Sequence, residues 1–239
     1  PAAYYFPDFG RMQSVEILKG SSQIKYGPFT NGGVINFISN PIPTGLGAQM
    51  RFEAGSKNTK LWQALAGFGG QNVGFSIEGF GRSSDGFKQL DNGGNTGFEK
   101  TNWIAKGYGK FKTGAVNHQI ALKFGLTEEV SNETYLGITD ADFEKTPFRR
   151  YAGSQLDVLN ATQKQTSLSY TAMLPQNIDV NVTGYFTQFN RNWYKLDKLT
   201  QDDGTTVGIT DLLQDPSTYS NAYAIVTDTS SANPNALQV

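Results

Sequence analysis

The sequence contains no cysteine and one histidine, His118. Disulfides, thiolate metal sites and cysteine nucleophiles are thereby excluded, and one imidazole cannot build a multi-histidine metal centre. Charge of one sign is also lacking: 20 Lys and Arg against 21 Asp and Glu leave a net charge of −1. That balance gives no electrostatic basis for binding nucleic acid. No stretch approaches the roughly 18 consecutive apolar residues of a membrane helix. The opening residues PAAYYFPDFGRM lack the charged-then-apolar layout of a signal peptide. Helical spans are excluded, but strand spans are not. A membrane barrel alternates lipid-facing and lumen-facing side chains, so a mean hydropathy of −0.41 fits it as well as a soluble protein.

What is present points to strands. There are 27 Gly, 11 Tyr and 16 Phe, and glycine with aromatics suits strands and turns better than helices. From Gly47 onward the period is two. In GAQMRFEAG, Ala48, Met50, Phe52 and Ala54 alternate with Gln49, Arg51 and Glu53, predicting a strand with one apolar face. HQIALKFGLT, IDVNVTGYF, QTSLSYTAML and VGFSIEG repeat the pattern. NTKLWQALAGFGG and KTNWIAKGYGKF are read as strands too, although Leu61, Leu65, Ile104 and Tyr108 interrupt their polar faces. Glycines such as Gly74, Gly125 and Gly153 are expected to relieve crowding on those faces.

The connections carry more information than the strands. After GSKN they alternate in length: GGQN is short, the stretch from Arg82 to Gly97 long, TGAVN short, the stretch from Ser131 to Gln163 long, and PQN very short. Tight turns on one side and long loops on the other characterise outer-membrane barrels. Trp62, Phe68, Trp103, Phe111, Phe189 and Trp193 stand near strand ends and are expected to form interfacial girdles.

One unit stands apart. In VEILKGSSQIKYGPFTNGGVINFIS, Val15 to Ser39, two β-type runs flank a glycine-rich hinge. Val15, Glu16, Ile17, Leu18, Lys19 and Gly20, then Tyr26 and Gly27, then Gly32, Gly33, Val34, Ile35 and Asn36 together resemble the closing segment of the plug domain of TonB-dependent outer-membrane transporters. The chain departs from that pattern at Ser14, where the family has Arg, and at Ser21, where it has Pro. The loop segment Glu133 to Asp157 and the run beginning Lys25-Tyr-Gly-Pro most resemble the ferric dicitrate transporters.

The resemblance implies an all-β fold: part of a plugged antiparallel transmembrane β-barrel, about seven of 22 strands, preceded by the C-terminal part of the plug. Residues 1–40 are then the end of the plug, 41–45 (PIPTG) a linker, and 46–239 the first part of the barrel with long extracellular loops. It also implies uptake of a ferric chelate, ferric dicitrate foremost, at the outer membrane of a Gram-negative bacterium. The partners implied are the chelate, the TonB protein through a segment outside this chain, and outer-membrane lipid, with no nucleic acid. No cofactor is implied, because iron arrives inside the substrate. Another siderophore, cobalamin or a glycan are the alternative cargoes, and a soluble carbohydrate-binding module is a more distant reading. No spacing of Ser, Asp or Glu points to an enzyme.

A ferric citrate complex is anionic, so cations at the external mouth are its expected ligands, with Arg favoured for carboxylates. Arg149 and Arg150 with Lys145 nearby are the first candidates, followed by Thr30 and Asn31 in the hinge. Glu16, Lys19, Gly20, Tyr26, Gly27, Gly32, Gly33 and Asn36 form the structural motif of the plug. TDADFE resembles the start of a calcium loop but lacks its glycine and terminal glutamate. The long loops are expected to be mobile until ligand binds.

Overall fold

The computed structural model describes residues 7–21, 32–201 and 203–229. In chain order, β1 (Met12–Leu18) and β2 (Val34–Ser39) form a two-stranded antiparallel ribbon. Then come β3 (Gly45–Gly55), β4 (Thr59–Gly69), β5 (Val73–Ser84), the short β6 (Gln89–Leu90), β7 (Phe98–Thr113) and β8 (Val116–Asn132). Helix α1 (Asp140–Lys145), the short β9 (Arg149–Arg150), β10 (Val158–Leu174) and β11 (Ile178–Tyr194) follow. The chain continues through β12 (Lys198–Thr200), β13 (Thr206–Gly208), α2 (Ile209–Gln214) and α3 (Ser220–Thr227).

The main sheet is a seven-stranded antiparallel meander in the order β11, β10, β8, β7, β5, β4, β3. Every neighbour in it is the next long strand in sequence, so the connections fall alternately at its two ends. Residues 70–72, 114–115 and 175–177 turn the chain tightly at one end. Residues 85–97, 133–157 and 195 onward leave from the other, where the tight turn at 56–58 also lies. Two of the tight turns use consecutive non-glycine residues in the left-handed region, Lys57 with Asn58 and Gln176 with Asn177. Asn tolerates that backbone better than most residues because its short side chain bonds locally.

Register places the alternating residues on two distinct faces. Leu46, Phe68 and Phe75 stand in one row across β3, β4 and β5, and Ala48, Ala66, Ile77, Ala105 and Phe124 continue the next row across β3 to β8. This outward face leaves Leu46 90% and Phe52 73% exposed, an apolar surface that water solvates poorly. The opposite face carries Gln63, Ser76, Glu78, Asn102, Lys106, Lys123 and Thr127, and the β1–β2 ribbon lies against it. Asn40 donates to Glu78 and Arg11 donates to Asn102.

Two of the residues that interrupt the polar faces in sequence, Ile104 and Tyr108, now have reasons. Ile104 is on the inward face and buried, beside Phe80, which is fully buried where the chain enters the ribbon at Gly10. Tyr108 faces Gly74 directly across the ladder, and its hydroxyl donates to the Gly70 carbonyl at 2.6 Å. A Cβ at Gly74 would stand 2.3 Å from the Tyr108 ring, so this glycine makes room for an aromatic. Gly125 has no such neighbour. Gly153 is not on a strand; it sits buried in a one-turn 3-10 helix, Ala152–Ser154, against Val226 and Leu136.

The aromatics divide. Trp62, Trp103, Phe68 and Phe111 face outward. Trp62 and Trp103 lie 5.7 Å apart toward the long-loop end, and Phe111 stacks on His118 near the tight turns. His118 in turn bonds the Tyr170 hydroxyl at 2.8 Å, forming a short aromatic belt. Phe189 and Trp193 do not join either belt. Their register, opposite Gln163 and Leu159, puts them on the inward face.

Candidate functional site

In the plug-like motif, Glu16 and Asn36 are direct partners across the ribbon, and Asn36 Nδ2 donates to Glu16 Oε2 at 3.0 Å. Gly20 has φ +71° and Gly33 φ +131°, conformations an L side chain rarely adopts, so both positions need glycine. Gly32 has ordinary backbone, and Lys19 lies just past the end of β1. Tyr26, Gly27, Thr30 and Asn31 lie outside the described residues.

The ribbon is held to the wall by polar contacts from both of its ends. At its exit, Glu78, only 3% exposed, accepts from Asn40 Nδ2 at 2.8 Å and from Gln63 Nε2 at 2.7 Å. Lys106 Nζ donates to the Asn40 carbonyl oxygen. At its entry, Asp8 caps the turn Phe9–Arg11 by accepting from Gly10 N, and Arg11 Nε reaches Asn102 Oδ1 at 3.3 Å. Thr127 donates to the same oxygen at 2.9 Å.

At the other end, the two longest connections fold together. Leu136 and Tyr151 from residues 133–157 pack with Leu196, Leu199, Val207, Leu212, Ala222 and Val226 from residues 195–229 into one hydrophobic core. The two long connections thus form a cap with a core of its own. Its roots are tied by Asp157, whose two carboxylate oxygens accept from Tyr135 N at 2.9 Å and Leu196 N at 2.8 Å. Burial pushes the Asp157 carboxyl up from its ordinary value, opposed by those two backbone donors.

The run TDADFE forms the start of α1. Thr139 accepts from Asp142 N as N-cap, acidic residues fill the first turn and Lys145 the last, the arrangement the helix dipole favours. Asp142 is then a junction. Its Oδ2 accepts from Tyr151 at 2.6 Å and Tyr223 at 2.9 Å, and its Oδ1 meets Arg149 Nη1 at 3.2 Å. The Tyr151 hydrogen bond is the main cause that holds the Asp142 carboxyl below its usual range, and Tyr223 and Arg149 add to it. Burial pushes the Tyr223 phenol well above its ordinary value, and its bonds to Tyr151 and Asp142 act in the same direction.

Of the three cations proposed from sequence, Arg149 is the most engaged. Its Nε and Nη2 form a two-pronged bond to Asp91 at 2.8 and 3.0 Å, and its guanidinium lies 5.1 Å over the Tyr151 ring. The Asp91 bond is the main reason its pKa is raised. Arg150, next along β9, donates among the described residues only to the Pro147 and Arg149 carbonyl oxygens. Lys145 is exposed at the end of α1.

Sequence reasoning did not single out two further cations. Lys88 donates to Thr134 Oγ1 at 2.7 Å and lies within electrostatic range of Arg150. Lys195 Nζ sits 3.5 Å over the Tyr135 ring and 5.0 Å from that of Trp193. Lys88 comes close only because β6 pairs in parallel with β9, a register that no local pattern announces. Among the described residues no three His, Asp or Glu side chains converge to hold a metal ion.

No family model matches the sequence, and no curated protein matches it either. Among solved structures, that of the siderophore receptor PiuA from Acinetobacter baumannii is similar over 80% of this chain, with a TM-score of 0.59 and 14% sequence identity. This chain covers 28% of that structure's length. The likeness is one of fold: an all-β section of an antiparallel barrel, with the meander as wall and the ribbon on its inward side.

Proposed function

We propose that this chain is a section of a TonB-dependent outer-membrane transporter that takes up an anionic ferric chelate, with ferric dicitrate as the preferred cargo. The observation that carries the reading is the ribbon β1–β2 docked on a polar wall face whose opposite face is apolar. A soluble sandwich buries its apolar face and wets its polar one. Here the polar face is covered and the apolar face is open, which is the polarity of a plugged barrel in lipid. The fold shared with a siderophore receptor supports the same class.

On this reading residues 1–40 belong to the plug, 41–45 link it to the wall, and 46–239 form the wall and its extracellular loops. The tight turns at 70–72, 114–115 and 175–177 face the periplasm, the side from which the TonB protein acts. The cored cap faces the medium. Its cations favour an oxyanion-bearing ligand, with Arg150 and Lys88 as the pair that meets the chelate, because Arg149 is occupied by Asp91 and Asp142. Lys195 with Tyr135 and Trp193 adds a cationic aromatic surface on the same cap.

The test is ligand binding by the full-length protein in detergent, with ferric dicitrate compared against other siderophores and cobalamin. Selective ferric dicitrate binding supports both class and cargo. Binding of another chelate keeps the class and removes citrate, and binding of none removes the uptake reading.

A further inference from the structure

The inward wall carries a charge arrangement that the ribbon does not resolve. Lys106 and Lys123 are directly opposite each other on β7 and β8, and like charges in that relation destabilise a ladder. Arg11 adds a third cation within electrostatic range of both. Two carboxylates stand near, and each is engaged: Glu78 by Asn40 and Gln63, Asp8 by Gly10 N. Lys106 reaches the Asn40 carbonyl oxygen. Lys123 has neither a hydrogen bond nor an ion pair among the described residues.

Beside Lys123 lies a cavity of about 300 Å³ between the ribbon and strands β7, β8 and β10. Its wall includes Arg11, Lys123, Asn36, Thr127, Gln163 and Gln165, and no carboxylate among the described residues. Asn36 already donates to Glu16, so the donor set is a guanidinium, an ammonium and the two side-chain amides of Gln163 and Gln165 around a space large enough for a small polyatomic anion. A half-buried ammonium without an acceptor is costly, and an anion placed there satisfies it.

We propose that this cavity is an internal binding site for a small oxyanion, with Lys123 and Arg11 as its charged ligands and Gln163 and Gln165 as neutral donors. The site deepens the uptake reading and rests on it for its role, a station between cap and plug for carboxylate groups in transit.

The experiment is calorimetric titration of the full-length protein in detergent with metal-free citrate and, separately, inorganic phosphate. Wild type, Lys123→Gln and Lys123→Arg are compared. Saturable binding in wild type, weakened at least tenfold in Lys123→Gln and kept in Lys123→Arg, is the expected result. Citrate alone as ligand assigns a carboxylate site, phosphate alone a phosphate site, and both a general oxyanion site. No saturable binding of either anion, or a Lys123→Gln variant that binds like wild type, overturns the proposal. The two readings fail separately. A protein that binds a ferric chelate but shows no Lys123-dependent anion binding loses this site alone. One that shows Lys123-dependent anion binding and takes no chelate loses the uptake reading.

Discussion

Asn40 holds Glu78 and Lys106 at once: its side-chain Nδ2 donates to Glu78 Oε1 at 2.8 Å while its carbonyl oxygen accepts from Lys106 Nζ. One residue, just before the Pro41 to Gly45 linker, therefore pins the exit of the ribbon to two neighbouring wall strands. Glu78 is the acceptor on which this arrangement depends, since Gln63 also donates to it.

Replacing Glu78 by Ala leaves the Asn40 and Gln63 amides without their acceptor in a buried setting. Each orphaned donor costs about 1–3 kcal/mol. The expected outcome is faster proteolytic cleavage in residues 7–45 of the full-length protein with the strands of the wall still protected. Equal cleavage rates in Glu78→Ala and wild type would remove the anchoring role.

Arg149→Lys keeps the charge and loses the two-pronged geometry toward Asp91. Both partners are partly solvated, so the cap is expected to lose about 1 kcal/mol or less. Arg150→Gln is expected to leave cap stability unchanged and to weaken chelate binding severalfold. Thermal unfolding and chelate titration of both variants test whether Arg149 serves structure and Arg150 serves binding; a reversed pattern would exchange those roles.

The cap carries two carboxylates with opposite pH behaviour. Asp142 has its folded pKa depressed, so the stability it contributes is complete above the unfolded carboxylate value of about 3.9 and is lost as pH falls through the lower folded value. Asp157 has its folded pKa raised, so its share is present below about 3.9 and declines as pH rises toward the folded value. Near-ultraviolet circular dichroism of an Asp142→Asn variant is expected to show a cap already loosened at neutral pH and flatter than wild type below about pH 4. A variant whose acid profile retraces that of wild type would place the titration elsewhere.

Gly74→Ala places a methyl group 2.3 Å from the Tyr108 ring. The ring has to leave, and its bond to the Gly70 carbonyl goes with it, at an expected cost of about 1–3 kcal/mol. Adding Tyr108→Leu to Gly74→Ala is expected to restore part of the loss. Additive losses in the double variant, measured by denaturant unfolding, would show that the two residues do not share one space.

The long strands were legible because a residue period of two is a local signal, and loop lengths alternated visibly once the strands were placed. Ile104 and Tyr108 misled for a physical reason. The inward face is covered by the ribbon near Phe80 and crowded by an aromatic over Gly74, so it is not uniformly polar. Phe189 and Trp193 stand near the end of a strand, as girdle residues do, and only register puts them on the other face. The cap was not legible at all. Its core draws on Leu136 and Tyr151 from one connection and on Leu199, Leu212 and Val226 from another, with no period between them. Arg149 bonds a carboxylate 58 residues upstream, and Lys123 becomes noteworthy only when Lys106 is placed opposite it.

The shared core of the cap also sets what can be exchanged between proteins of this fold. Moving residues 133–157 alone into another barrel would strip Leu136 and Tyr151 from their partners and expose the apolar sides of α2 and α3. Residues 195–229 moved alone would meet the same fate. The transferable unit is the pair of connections with Asp157 at their common root, together with Asp91 on the third, so grafts and recombination joints are tolerated around the pair and not between its halves.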